Sequence, residues 1–103
     1  MLDFRISPKV EKYIKKIKDR ELKAKFREAI IEIRKNPYVG SPKKGNLSGI
    51  LGYDIHYRGT NHEIAYEIVE YERVLIIIIL AGTRENFYAE LDKYIKKRRK
   101  NLP

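Results

Sequence analysis

Residues 74–88, Val74-Leu75-Ile76-Ile77-Ile78-Ile79-Leu80-Ala81-Gly82-Thr83-Arg84-Glu85-Asn86-Phe87-Tyr88, join a continuously apolar run to a polar segment carrying an arginine and a tyrosine. The unbroken apolar run over 74–80 predicts a central strand of a sheet that is covered on at least one face. Thr83 then reads as the cap of a last helix whose apolar stripe is Phe87, Leu91, Tyr94 and Ile95. On that reading Arg84 and Tyr88 stack on one face of the first turns, where free backbone N–H groups favour an anion such as phosphate.

Working outward, residues 2–6 alternate as a short strand, and Ser7-Pro8 supplies an N-cap followed by proline at the first helical position. Val10, Tyr13, Ile14 and Ile17 recur at helical spacing, as do Leu22, Phe26, Ala29, Ile30 and Ile33 after Asp19, a second cap. The two segments read as a helical hairpin ending at Asn36-Pro37. Residues 37–52, rich in glycine and proline and carrying Lys43-Lys44, read as an exposed basic loop. From Tyr53 the period becomes two, with Tyr53, Ile55 and Tyr57 alternating with Asp54, His56 and Arg58. Arg58-Gly59-Thr60-Asn61 is a turn signal, so a strand over 62–70 pairs antiparallel with the first. A second hairpin at 70–73 leads into the apolar strand. The expected fold is α+β, in the order β-α-α-β-β-β-α, with an antiparallel sheet of about four strands, an N-terminal helical hairpin and a C-terminal helix.

The 103 residues suit one domain over 1–103, with a single core. The chain has no cysteine, which excludes disulfides, thiolate metal sites and thiol nucleophiles, and its two histidines lack zinc-motif spacing. We expect neither metal nor cofactor. The longest apolar run is too short to span a bilayer and the amino terminus has no signal-like region, so a cytoplasmic protein without a membrane partner is expected. Against 14 Asp and Glu stand 23 Lys and Arg, a formal +9 that is the footprint of a polyanionic partner. The basic residues of 1–35 are interleaved with acids, as on a solvated helical face, whereas Lys96-Lys97-Arg98-Arg99-Lys100 has none. That tail suits both a frayed helix end and nucleic-acid contact. With Lys43 and Lys44, the residues Lys96, Lys97, Arg98 and Arg99 are the candidate RNA-binding set.

The pattern leaves one sheet face polar, carrying Asp54, His56, Arg58, Glu63 and Glu67, and brings Arg84 and Tyr88 near it. Cleavage of RNA by its own 2′-hydroxyl needs a base, a cation for the phosphorane charge and an acid for the leaving oxygen. Glu63 fits the base, Arg84 and Arg58 the clamp, and His56 or Tyr88 the acid. Histidine titrates near neutrality, whereas a tyrosine with its ordinary pKa of ~10 needs neighbouring cations. Each has a plain structural alternative: His56 bonded across the strands, Glu63 and Glu67 paired with Lys or Arg, Tyr88 in an aromatic core, Arg84 in a surface ion pair.

Gly52-Tyr53-Asp54-Ile55-His56-Tyr57-Arg58, then His62-Glu63-Ile64-Ala65-Tyr66-Glu67-Ile68, then Gly82-Thr83-Arg84-Glu85-Asn86-Phe87-Tyr88 together resemble the RelE/ParE superfamily of bacterial type II toxins. The loop Lys43-Lys44-Gly45-Asn46-Leu47-Ser48-Gly49 resembles that family's basic approach to the second strand. The resemblance covers nearly the whole chain and implies a RelE-like fold and a toxin that, in the RelE branch, enters the 70S ribosomal A site and cleaves mRNA without a metal. It implies a cognate antitoxin, short, acidic and encoded adjacently, and a catalytic contribution from Arg84 and Tyr88. Where well-known RelE enzymes have lysines this chain has Asp54 and His56, and Glu63 stands where they have arginine. That composition is similar to branch members using glutamate and histidine. The ParE branch implies instead a DNA gyrase inhibitor without a nuclease site. A catalytically silent RNA- or ribosome-binding module of the same fold is a third expectation.

Overall fold

A computed structural model of the chain describes residues 1–85 and 87–100. Its first half follows the local chemistry closely. Strand β1 (Asp3–Ile6) ends at Ser7, whose hydroxyl caps helix α1 (Pro8–Lys16) by accepting from the Val10 N–H at 3.3 Å. Asp19 caps α2 (Arg20–Lys35) in the same way, accepting from the Glu21 and Leu22 N–H groups at 3.0 and 3.2 Å. α2 stops at Asn36, before a proline that disfavours another helical residue. Val10 and Ile14 of α1 and Phe26, Ala29, Ile30 and Ile33 of α2 form the buried stripes that pack onto the sheet.

Among the described residues the sheet has five strands, one more than expected, in the order β1-β5-β4-β3-β2. β2 (Ser41–Pro42) is a two-residue strand within the expected loop; β3 (Ile50–Tyr57), β4 (Thr60–Tyr71) and β5 (Arg73–Thr83) form the antiparallel body. β1 pairs parallel with β5, because the helical hairpin carries the chain across the sheet between them. β5 is therefore interior, but β4 is the middle strand.

The unbroken apolar run of β5 is explained by burial on both faces. A bulge opposite Ala65 and Tyr66 leaves Ile79 between the pairs Ala65–Leu80 and Tyr66–Ile78. Ile76, Ile78 and Ala81 consequently join the core under α1 and α2, while Ile79 and Leu80 join a second core with Ile50 and Ala65. That second core is closed by Phe87, Leu91 and Ile95 of helix α3 (Phe87–Lys100), residues four apart on one stripe. Tyr94, expected in the same stripe, is 38% exposed because it lies a turn edge away from it.

The polar sheet face is thus only partly polar: α3 covers its Ile50–Ala65 end. Thr83 is not a helix cap. It is the last residue of β5, and the ladder runs one step further, with the Arg84 N–H donating to the Asn61 carbonyl at 3.1 Å. The first helical residue is Phe87, so Arg84 lies in the turn and its N–H is not free for an anion. On the opposite face His62 is buried edge-on against Phe26 at 5.6 Å, and burial pulls its pKa below the ordinary histidine value. No helix among the described residues is long and apolar enough to cross a membrane.

Candidate active site

Where the α3 core ends, β3 and β4 present Gly52, Asp54 and His56 opposite Ala65, Glu63 and Asn61. Directly paired residues on neighbouring strands point to the same face. Glu63 therefore faces the start of α3, at the margin of an apolar patch, and its side chain is only 1% exposed. A buried carboxylate needs compensating charge, and the chain supplies it from both sides.

Lys43 arrives from the loop. The pairing of β2 with Leu51 and Gly52, and the Lys43 N–H donating to the Ile50 carbonyl at 2.8 Å, hold its backbone beside β3. Its ammonium meets Glu63 Oε2 at 2.5 Å as an ion pair and donates to the Tyr88 hydroxyl at 2.9 Å. The same ammonium lies 4.5 Å from the centre of the Tyr88 ring, a cation–π contact. The Tyr88 hydroxyl in turn donates to Glu63 Oε1 at 3.4 Å, and Arg84 Nε stands 3.9 Å from that oxygen. Gly52 makes the arrangement possible: a Cβ there would fall on Glu63 Oε2 and within 2.9 Å of Lys43 Cε and Nζ.

The cluster holds two cations, one buried carboxylate and one phenol, with the exposed carboxylate of Asp54 beside it on the same face, so the charges balance around a sequestered base. Burial alone would lower the Lys43 pKa, but its hydrogen bonds to Glu63 and Tyr88 and their charges outweigh that and leave it raised. Arg84 is also raised, first by its hydrogen bond to Tyr88, then by the nearby charges of Asp54 and Glu63. Both cations are firmly charged near neutral pH. With Arg84 about half exposed and Tyr88 39% exposed, the site opens to solvent on their side. Among the described residues, no three His, Asp or Glu side chains are grouped as metal ligands.

The structure brings together Glu63, Arg84 and Tyr88 of the sequence-predicted residues. His56 shares their face but lies beyond Asp54 at the exposed end, its Nδ1 in a short contact with the Asn61 side chain. By strand geometry it is a diagonal neighbour of Glu63, ~7 Å away. Arg58 is not in the cluster. Its φ of 48° places it in the β3–β4 turn, and its guanidinium turns to the other side, 3.4 Å from Glu21 and 3.8 Å from Asp19. The acidic start of α2 captures it. Of the residues expected to bind RNA, Lys43 is a member of the cluster, Lys44 and Lys97 are exposed, and Lys96 pairs with Asp92 at 3.0 Å. The side chains of Arg98 and Arg99 lie outside the described residues. Sequence reasoning missed Gly52, although a glycine inside a strand signals a close approach, and it did not separate Lys43 from Lys44.

Searched against curated proteins, the chain has no match. Among solved structures it is similar to a mutant of Escherichia coli toxin RelE in the free state, with a TM-score of 0.70 at 15% identity over 94% of this chain and 96% of that one. It is also similar to the toxin–antitoxin complex RelBE2 from Mycobacterium tuberculosis, with a TM-score of 0.60 at 23% identity over 81% and 98% of the two chains. The intact E. coli RelBE toxin–antitoxin complex gives 0.64 at 16% identity over 82% and 99%. At these identities the likeness is one of fold. Residues 4–92 match the family model described as the ParE-like toxin of type II bacterial toxin–antitoxin systems, so this chain, a RelE-like fold with a charged cluster at the mouth of its second core, belongs to that family of toxins.

Proposed function

We propose that this toxin is a metal-independent endoribonuclease that cuts translated mRNA at the ribosome by internal attack of a ribose 2′-hydroxyl. The carrying observation is the Tyr88 hydroxyl standing between the Lys43 ammonium and the Glu63 carboxylate. A bound phosphodiester competes for Lys43 and Arg84, loosening their hold on Glu63 and uncovering a base. Glu63 takes the 2′-hydroxyl proton as the oxygen attacks phosphorus. Arg84 and Lys43 neutralise the charge that gathers on the non-bridging oxygens. Tyr88, its hydroxyl held beside Lys43 and Arg84, gives its proton to the leaving 5′-oxygen and recovers one from the Glu63 carboxyl 3.4 Å away. The products are a 2′,3′-cyclic phosphate and a 5′-hydroxyl, and the proton count closes. His56 is the alternative acid.

The ParE-like description of the family favours a second reading, inhibition of DNA gyrase, in which the Lys43–Glu63 pair merely pins the loop to the sheet. Induced expression followed by primer extension separates the two. Cuts in translated messages, abolished by Arg84→Ala and reduced by Tyr88→Phe, support the nuclease. Intact messages accompanied by double-strand DNA breaks support gyrase, and full toxicity of both variants removes the cluster from either account.

A cognate antitoxin is part of the proposal, since two of the similar structures are toxin–antitoxin complexes. The formal +9 suits a short acidic partner that folds as it binds.

A further inference from the structure

We propose that the groove between α1 and the free edge of β5 is a docking track for single-stranded RNA flanking the cut, a proposal that rests on the ribonuclease reading above. The groove, of about 460 Å³, is lined by Lys9, Lys12, Tyr13 and Lys16 on one wall and by Leu80 through Thr83, Phe87 and Glu90 on the other. Three lysines at i, i+3 and i+7 stand on successive turns of one helix face, spaced by ~4.5 and ~6 Å along its axis. Lys12 and Lys16 are exposed and have no ion-pair partner among the described residues; Lys9 alone is paired, with Glu90 at 3.1 Å. The walls therefore keep two uncompensated cations after the one carboxylate is neutralised.

The floor carries a second, independent invitation. β1 pairs with β5 only from Leu75 to Ile78, after which the Ser7 N–H and hydroxyl take the Ile78 and Ile79 carbonyls. Past that point no described strand lies beside β5 on this side; Leu80 and Ala81 are buried, and the strand reaches the surface at Gly82 and Thr83. Tyr13, set edge-on to Phe26 at 5.9 Å, adds a fixed aromatic to the wall. Cations along a backbone path with an aromatic beside it are what a single strand needs when its bases are not read individually. The occupant follows from continuity. Thr83 precedes Arg84 and Phe87 precedes Tyr88, so the groove and the cluster share the same turn, and a chain lying in the groove leads its next phosphate to Arg84.

The test is fluorescence anisotropy of a labelled 2′-O-methyl RNA of about ten nucleotides, which cannot attack itself, with a 2′-O-methyl trinucleotide as the short probe. Lys12→Gln/Lys16→Gln is compared with Lys18→Gln/Lys25→Gln, which removes equal charge outside the groove. The groove variant is expected to weaken the longer RNA about tenfold and to reduce the slope of log affinity against log salt by ~1.4. Trinucleotide binding should stay unchanged. Equal losses in both variants mean diffuse charge and overturn the track. So does wild-type RNA binding by the groove variant, whether or not it loses affinity for a polyglutamate peptide, the outcome expected if the groove serves an acidic protein instead. Cleavage of unmodified RNA is followed separately with Glu63→Gln. Its failure to respond defeats the nuclease reading and leaves the anisotropy result standing on its own.

Discussion

The β3–β4 ribbon carries two clusters of similar composition on opposite faces. On the α3 face, Lys43, Arg84 and Tyr88 surround Glu63; on the α2 face, Tyr57 and Arg58 meet Asp19 and Glu21. In the second, the Tyr57 hydroxyl lies 2.8 Å from Asp19 and 3.0 Å from Glu21, the carboxylates outnumber the arginine, and every charge reaches water. That cluster clips the hairpin tip to the start of α2 and leaves no base sequestered and no cation in excess. The first differs in burial: its central carboxylate is sequestered and held by two cations, with only the exposed Asp54 beside them. The contrast teaches that burial of the carboxylate, rather than the residue types, separates a site able to act on a phosphodiester from a structural clip.

The largest expected effect tests that division directly. Glu63→Gln should lower RNA cleavage by about 10²–10⁴-fold, the usual worth of a general base, while Glu21→Gln leaves the rate near wild type. Single-turnover cleavage of a synthetic RNA, or of a translated message if the ribosome is required, measures both. Equal losses would erase the distinction between the clusters. Next in size is stability. Lys43→Ala leaves Glu63 buried beside only the more distant Arg84 and should cost about 3 kcal/mol in urea unfolding. Replacing both members by apolar residues, Lys43→Met with Glu63→Leu, should recover most of that loss. Arg58→Ala, which removes an exposed partner, should move the same transition little.

Gly52→Ala sharpens the comparison from the backbone side. The added methyl meets the ends of the Glu63 and Lys43 side chains, not main chain, so both can move aside. Stability should therefore fall by about 1–3 kcal/mol, while the pair that positions Tyr88 is displaced. A fall in cleavage measured well below the unfolding midpoint, where the variant is still fully folded, is the expected signature. An unchanged rate would show that the pairing of Lys43 with Glu63 is irrelevant to turnover.

Which parts of this were legible beforehand follows from how local the determining forces are. Ser7-Pro8, Asp19 and Asn36-Pro37 mark their helix ends because capping and proline sterics act within a few residues, and the structure places the ends there. Thr83 misled because a threonine suits both a cap and a strand. Its role is decided by Asn61, twenty-odd positions away, whose carbonyl continues the ladder to Arg84. The two-residue β2 has too little pattern to be read. Lys43 and Lys44 look alike in sequence, yet one is packed against Glu63 and the other faces water, a choice made by the pairing of β2 with β3. Arg58 was expected beside the phosphate because strand alternation put it on the Asp54 face. The turn's left-handed φ and the acidic cap of α2 carried it to the other side.

The smallest expected effect belongs to the clip and is a pH dependence. The Tyr57 hydroxyl, first among several contacts, holds the Asp19 carboxyl below its ordinary value of 3.8, and burial with the two carboxylates pushes Tyr57 itself up to about 12. A depressed carboxyl contributes stability that is fully present above its unfolded value and is lost as pH falls through the folded one. Wild-type protein should therefore lose this contribution progressively below pH ~4, whereas Tyr57→Phe, with the Asp19 value released toward normal, has less of it to lose. Thermal midpoints of the two proteins should differ most near neutrality and converge on acidification. At the high-pH end Tyr57, with its value raised from 10.0 to about 12, contributes stability that is fully present below pH 10 and is lost as pH rises toward 12, so the gap should close again across that interval. A gap that stays constant from neutrality into acid would mean the hydroxyl acts by packing alone, and the clip would then owe nothing to the charge arrangement that sets it against the Glu63 cluster.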